Sequence, residues 1–253
     1  MDKKGQMAIF VIVALAIVAV VLVIVMYPQI KNLVMPAPVS PSKYLELCLQ
    51  PEVNKAVTTL AEQGGELNPV GYITYDGKKV KYLCYVTGYY KTCVVQQPLL
   101  VSNFAKELSA ILTPKADACM RRMKTDYESK GYSVSITDTK SETSMALGKV
   151  EIKFNSPVTL TLEENVQVFN NFDISISSKM YDLLSIAASI VQFEATYGDS
   201  EITAYTQYYP DLKIYKIKLA DGIKIYKVAD VITKESFTFA TRSMVWPAGY
   251  GLE

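Results

Sequence analysis

From Met7 to Tyr27 the chain runs MAIFVIVALAIVAVVLVIVMY without one charged residue. Wound as a helix, such a run rises about 30 Å, the thickness of a bilayer's hydrocarbon core. It is apolar on every side, whereas a helix of a soluble core is striped. It also exceeds the roughly 7–15 apolar residues of a secretory signal, and the one small-residue site, near Ala37, lies among prolines. The pattern predicts a transmembrane helix within residues 1–27. Lys3 and Lys4 precede the run and only Lys31 follows closely. Short basic flanks stay in the cytoplasm. The expectation is a single-pass plasma-membrane protein with a short cytoplasmic N-terminus and an extracellular ectodomain.

The same stretch carries a motif. Lys3-Lys4-Gly5-Gln6 ahead of the apolar run resembles the class III, prepilin-type signal of archaeal type IV pilins. The resemblance covers about residues 1–27. It implies processing between Gly5 and Gln6, with Gln6 as the new N-terminus and the apolar helix kept for packing in a filament core. Phe10 stands at the fifth position after that cut, where many pilins carry a glutamate.

Net charge excludes one class of partner. The chain is at +1, and its first 31 residues hold three lysines against Asp2, which leaves the remainder at −1. A near-neutral domain offers no electrostatic footprint for nucleic acid. Tyrosine is abundant, 18 against 8 phenylalanines, as half-buried sheet faces favour. No Asn-x-Ser/Thr acceptor for glycosylation occurs.

Prolines 28, 36, 38 and 41 make residues 28–41 an extended spacer. Ser40-Pro41 then starts a helix, a cap followed by proline in the first turn. Pro51 should interrupt it and Gly64-Gly65 should end it. Asp76-Gly77 and Asp221-Gly222 are hairpin turns. Leu100, Phe104, Leu108, Ile111 and Leu112 recur at helical spacing, Pro114 breaks or kinks the helix, and Ala116, Cys119, Met120, Met123 and Tyr127 continue the face. Beyond Gly131 the texture changes to polar-alternating strands, with VQVFNNFDISIS and EITAYTQYY among them. One helix lies in this half, Lys179 to Tyr197, ending at Gly198. Leu212 and Ile214 are out of step with Ile217 and Leu219, which calls for a bulge near Tyr215-Lys216. The fold class is α+β, mostly antiparallel strands with packed helices. Residues 42–130 form a helix/hairpin/helix subdomain, and 131–253 a strand-rich subdomain, separate or continuous with the first.

Four cysteines, an even number, suggest two disulfides in an oxidising compartment. Four allow three connectivities. A turn centred on Gly88-Tyr89 sets Cys84 against Cys93 and leaves Cys48 and Cys119 to join two helices. The alternatives are reduced buried thiols, or a zinc site, which lacks its usual C-x-x-C pair.

Chemistry is sparse. Without a histidine there is no Ser-His-Asp or Cys-His site and no imidazole shuttle. Glu163-Glu164, as neighbours on an extended chain, point apart and mark a solvated turn. Ser40-Pro41-Ser42-Lys43 matches S-x-x-K without its companion motifs. Lysines 213, 216, 218, 224 and 227 protect the edge of the second hairpin, facing Asp211, Asp221 and Asp230. Trp246-Pro247 plugs the core after the last strand. No catalytic, cofactor-binding or metal residues, and no small-molecule substrate, are indicated. The function expected is a non-enzymatic, membrane-anchored cell-surface structural protein, with the role of subunit in a pilin-like filament or surface array open to it. Its partners would be the membrane and copies of itself or other surface proteins. An anchored monomeric adhesion module is the alternative, and a carboxylate-dependent hydrolase the third choice.

Overall fold

The computed structural model describes residues 13–23, 26, 40–136, 141–155, 157–170 and 172–246. The chain divides into two compact units, Met1–Ser40 and Pro41–Glu253. In the first, residues 13–23 are helical and all of them are exposed. At 1.5 Å per residue this stretch rises about 16 Å, half of what a bilayer core demands. Among the described residues no helix is long and apolar enough to cross a membrane. That overturns the expected transmembrane helix, and with it the single-pass plasma-membrane placement and the split into cytoplasmic N-terminus and extracellular ectodomain. Gly5, Gln6 and Phe10 lie outside the described residues, as does most of the spacer.

The second unit is α+β. Helix α1 (Pro41–Glu62) and helix α2 (Leu100–Ser129) each run through an internal proline, Pro51 and Pro114. Neither proline breaks its helix. Both prolines lie on the solvent side, as do Leu47 and Ala110 four residues earlier. Their freed carbonyls face water, so the lost helical bonds are replaced and the buried stripe continues. Leu45, Leu49, Val53 and Leu60 of α1 pack with Phe104, Leu108, Leu112 and Met123 of α2 in one core.

Between these helices lie β1 (Tyr72–Tyr75), β2 (Lys78–Tyr85) and β3 (Val94–Val95). Asp76 and Gly77 take positive φ, 49° and 72°, as a two-residue hairpin turn needs. After α2 come β4 (Ser133–Ile136), β5 (Ser141–Ala146), β6 (Lys149–Phe154), β7 (Val158–Leu162), β8 (Asn165–Phe169) and β9 (Phe172–Ser177). They form two antiparallel three-stranded sheets, ordered β4-β7-β8 and β5-β6-β9. The stretch read as one strand, VQVFNNFDISIS, is therefore two strands in different sheets, since β8 pairs with β7 and β9 with β6. Helix α3 (Met180–Tyr197) follows, with Leu183, Ala187, Ile190 and Val191 buried. Next is a short helix, α4 (Thr203–Tyr208), where an extended segment was expected.

Strands β10 (Leu212–Lys218), β11 (Ile223–Asp230) and β12 (Ser236–Arg242) close the fold. The main sheet runs β1-β2-β12-β11-β10, with β3 beside β2. It is mixed rather than purely antiparallel, because β12 pairs with β2 in parallel. The bulge expected near Tyr215-Lys216 is absent; β10 and β11 stay in register from Leu212↔Asp230 to Lys218↔Lys224. The apolar residues change phase because both faces are apolar. Ile214 faces the main core, whereas Ile217 joins Val80, Ile225 and Ala240 in a small cluster on the opposite face.

Cys48 bonds Cys119, tying α1 to α2, and Cys84 bonds Cys93, with Cα atoms 6.0 and 5.3 Å apart. The second pair does not arise from facing hairpin positions. Cys84 stands opposite Val95, because the segment before β3 is drawn onto the C-terminal chain. Tyr90 N donates to Val245 O at 2.9 Å, and Met244 N to Lys91 O at 2.9 Å. The core plug is Val245, fully buried, whereas Trp246 is 47% exposed and meets the Tyr90 ring edge-on at 5.0 Å.

The cross-links close loops of different length, with separations of 71 and 9 residues. Replacing Cys48 and Cys119 together by alanine is expected to cost about 2–4 kcal/mol, and replacing Cys84 and Cys93 less. Urea unfolding of the two double variants tests the order, and equal losses would contradict it.

Candidate functional site

Helix α3 ends at Gly198, which takes φ 81° and donates its N–H to Glu194 O at 3.0 Å. Glu194 sits in the last turn with no solvent exposure. Lys224 of β11 meets its carboxylate at 2.8 and 3.1 Å, and the Tyr226 hydroxyl donates to the same group. Ser200 N adds a bond at 3.2 Å. Lys224 also donates to Gly198 O at 2.5 Å and stands 3.1 Å from Asp199. Lys216 of β10 spans Ser200 O at 2.9 Å and Asp199 at 2.5 Å. Ser243 Oγ donates to Glu194 O at 3.2 Å and accepts from Cys93 N at 3.0 Å. The cluster ties the end of α3 to β10, β11 and the segment after β12.

Its electrostatics are those of a clamp. Burial, reinforced by the Glu194 charge, pushes the Tyr226 hydroxyl up and keeps it a proton donor. Burial also opposes ionisation of Asp199, but Lys216 and Lys224 outweigh it and hold that carboxyl below the usual range. A carboxylate bonded to a lysine, a tyrosine and a backbone N–H, with no exposed surface, fixes geometry and offers nothing to a substrate.

At the other end of α3 a groove of about 450 Å³ opens between the helix and the start of β10. Lys179, Tyr181, Ile186, Tyr209, Asp211 and Asp230 are among the residues that line it. The helix start is already occupied. Glu235 accepts from Lys179 N at 2.5 Å and from Ser178 Oγ at 2.7 Å, and Ser178 Oγ in turn accepts from Met180 N at 3.1 Å. Asp182 pairs with Lys179 at 3.4 Å. Asp230 accepts from Ile232 N, Thr233 N and Thr233 Oγ1 at 3.0, 2.7 and 3.0 Å. Burial works against ionisation of Asp230, yet these bonds lower its pKa. A general acid for glycoside cleavage needs the opposite shift. The groove suits a small ligand with an aromatic or apolar body.

The residues singled out from sequence are dispersed. Lys224 and Lys216 turn inward to the clamp instead of shielding an edge. Lys213 lies over the Tyr215 ring at 5.0 Å, and Lys218 stands 3.9 Å from Asp199. Asp221 holds Arg242 at 2.8 Å. Glu163 and Glu164 form the exposed turn between β7 and β8, Glu163 at φ 54°. Pro41 opens α1, where Lys43 pairs with Glu46 at 2.9 Å. Among the described residues, no group of three or more His, Cys, Asp or Glu could hold a metal ion. Glu194, Tyr226 and Glu235 were not foreseen. Glu194 had a signal: a carboxylate at the next position of the stripe formed by Leu183, Ala187, Ile190 and Val191.

Comparison with known proteins finds no family model, no curated protein and no solved structure that matches the chain.

Two outcomes follow from this geometry. Lys224→Met leaves the buried Glu194 without its cation, at an expected cost of about 3–5 kcal/mol; adding Glu194→Leu recovers much of that loss. Chemical denaturation of both single variants and the double variant measures the coupling, and simple additivity would refute the clamp. For Asp230 the folded pKa is lowered, so its stabilisation is present above the unfolded value of about 3.9 and is lost as pH falls through the folded one. Asp230→Asn should remove that part of the acid sensitivity, read as a shallower fall of stability below about pH 4.

Proposed function

We propose that the chain is a non-enzymatic structural subunit that associates with copies of itself through its N-terminal apolar segment, in the manner implied by the pilin-like Lys3-Lys4-Gly5-Gln6 motif. One observation carries this reading: every residue of helix 13–23 is exposed, with Leu15, Val20 and Val23 at 65%, 58% and 64%. A continuous apolar surface of this kind calls for a partner. Helices of matching surface supply one by packing ridges into grooves. The polar chemistry of the second unit fits the same reading, since the Glu194 cluster and the Asp230 and Glu235 caps are spent on holding elements together. The groove beside Tyr209 favours a second reading, a binding module that works as a monomer.

Sedimentation of the full chain separates the two. The structural reading expects large assemblies, expects Val18→Asp with Val21→Asp to reduce them to small species, and expects Gln6 as the mature N-terminus. A wild-type chain that sediments as a monomer overturns it in favour of the binding module.

A further inference from the structure

Strand β8 stands at the end of its sheet and, among the described residues, pairs with β7 alone. Its sequence, Asn165-Val166-Gln167-Val168-Phe169, has no charge, no proline and no glycine. The first four residues are exposed, Val166 and Val168 at 60% and 56%. Gln167 stands opposite the buried Leu160, on the face of the sheet that looks to the core, yet is itself exposed. Over residues 165–168 the strand overhangs the core and is open on both faces, while Phe169 packs against the core.

Proteins blunt such edges with charge, brevity, proline or a cover. The other described edges follow that rule. β5 carries Glu142, β9 carries Asp173 and β10 carries Lys213 and Lys218. β1 and β4 are uncharged but only four residues long, and β3 has two. β8 alone among them is longer and uncharged.

We infer that β8 is a self-pairing edge, which joins two copies of this chain through an antiparallel β8–β8 ladder centred on Gln167. The segment is complementary to itself in that direction. Val166 of one copy meets Val168 of the other, twice, Gln167 meets Gln167, and Asn165 meets Phe169. Valine pairs across strands are favourable, and opposed glutamines bond through their amides. Charge selects the direction. Glu163 and Glu164 precede the strand and Asn170 follows it. Antiparallel pairing sets Glu164 against Asn170, whereas parallel in-register pairing stacks acid on acid. The resulting contact is two-fold and closed, so it yields a pair and not an open fibre. The ligand of this edge is thus a second copy, bound by main-chain ladder bonds as in strand addition. The contact is separate from the N-terminal helix and adds a second interface to the structural reading above.

A cross-linking experiment on the full chain tests it. All four native cysteines are bonded, so one introduced thiol reports on one position. Opposed residues of an antiparallel pair have Cα atoms about 4.5–5.5 Å apart, within bridging range. Gln167→Cys should therefore form a disulfide-linked dimer about tenfold or more faster than Leu147→Cys, a control 74% exposed in the turn between β5 and β6. Mixing Val166→Cys with Val168→Cys should give the mixed dimer in excess over either homodimer. Adding Val166→Lys and Val168→Lys to Gln167→Cys should abolish the linkage. Equal rates for Gln167→Cys and Leu147→Cys overturn the inference, and an excess of Val166→Cys homodimer overturns the antiparallel direction. Repeating the assay with Val18→Asp and Val21→Asp separates the interfaces. If linkage persists while large assemblies are lost, both interfaces stand. If linkage is absent while large assemblies remain in the parent chain, β8 pairing falls and the helix reading survives.

Discussion

A carboxylate sealed from water at the end of a helix decides how the second unit is put together. In an apolar interior the lone pairs of Glu194 must be met by donors, and the cost of leaving them unmet rivals a large share of a domain's net stability. Lys224 and Tyr226 must therefore come from the adjacent strand and Ser200 N from the turn that follows the helix, while Ser243, beyond β12, bonds the Glu194 main-chain carbonyl. Four separate parts of the chain are held to one point. Hydrophobic burial brings α3 onto the sheet, but apolar surfaces tolerate sliding. The directional bonds of the clamp fix the register of helix on strand.

Much of the architecture was legible because it rests on local rules. The two Asp-Gly turns, the buried stripe of α2 and the Gly198 stop of α3 are each set by residues within a few positions. What misled was also physical. Proline was taken to stop a helix, but on the solvent face water substitutes for the missing bond, so α1 and α2 continue. A phase change in apolar residues was taken for a bulge, but it marks a sheet with two apolar faces. A continuous alternating run was taken for one strand, but its halves pair with different neighbours. Pairing partners are not a local property, and no window of sequence contains them.

The N-terminal segment shows a different limit. Hydropathy ranks a helix by what it avoids, and both lipid and protein satisfy that avoidance. The described helical stretch is too short for a bilayer, and its exposed valines and leucines are compatible with burial against other helices. The Glu194 clamp was likewise hidden in plain composition. One glutamate among many carries no mark except its place on an apolar stripe. The lysine that answers it was grouped with others by sequence proximity, although their side chains end in different environments.

The parallel pairing of β2 with β12 sets an order of events. β12 is the last described strand and β2 is among the first. The centre of the main sheet, and the buried faces of Leu83, Phe237 and Phe239, are therefore complete only once the chain has been synthesised through residue 242. Contacts this distant in sequence close a long loop before they return any energy, and they slow folding. A nascent chain would carry a finished β1–β2 hairpin with an open inner edge while more than a hundred further residues are still to be made. During that interval the fold lacks its central strand, and the exposed edge of β2 is the part of the growing chain most in need of protection.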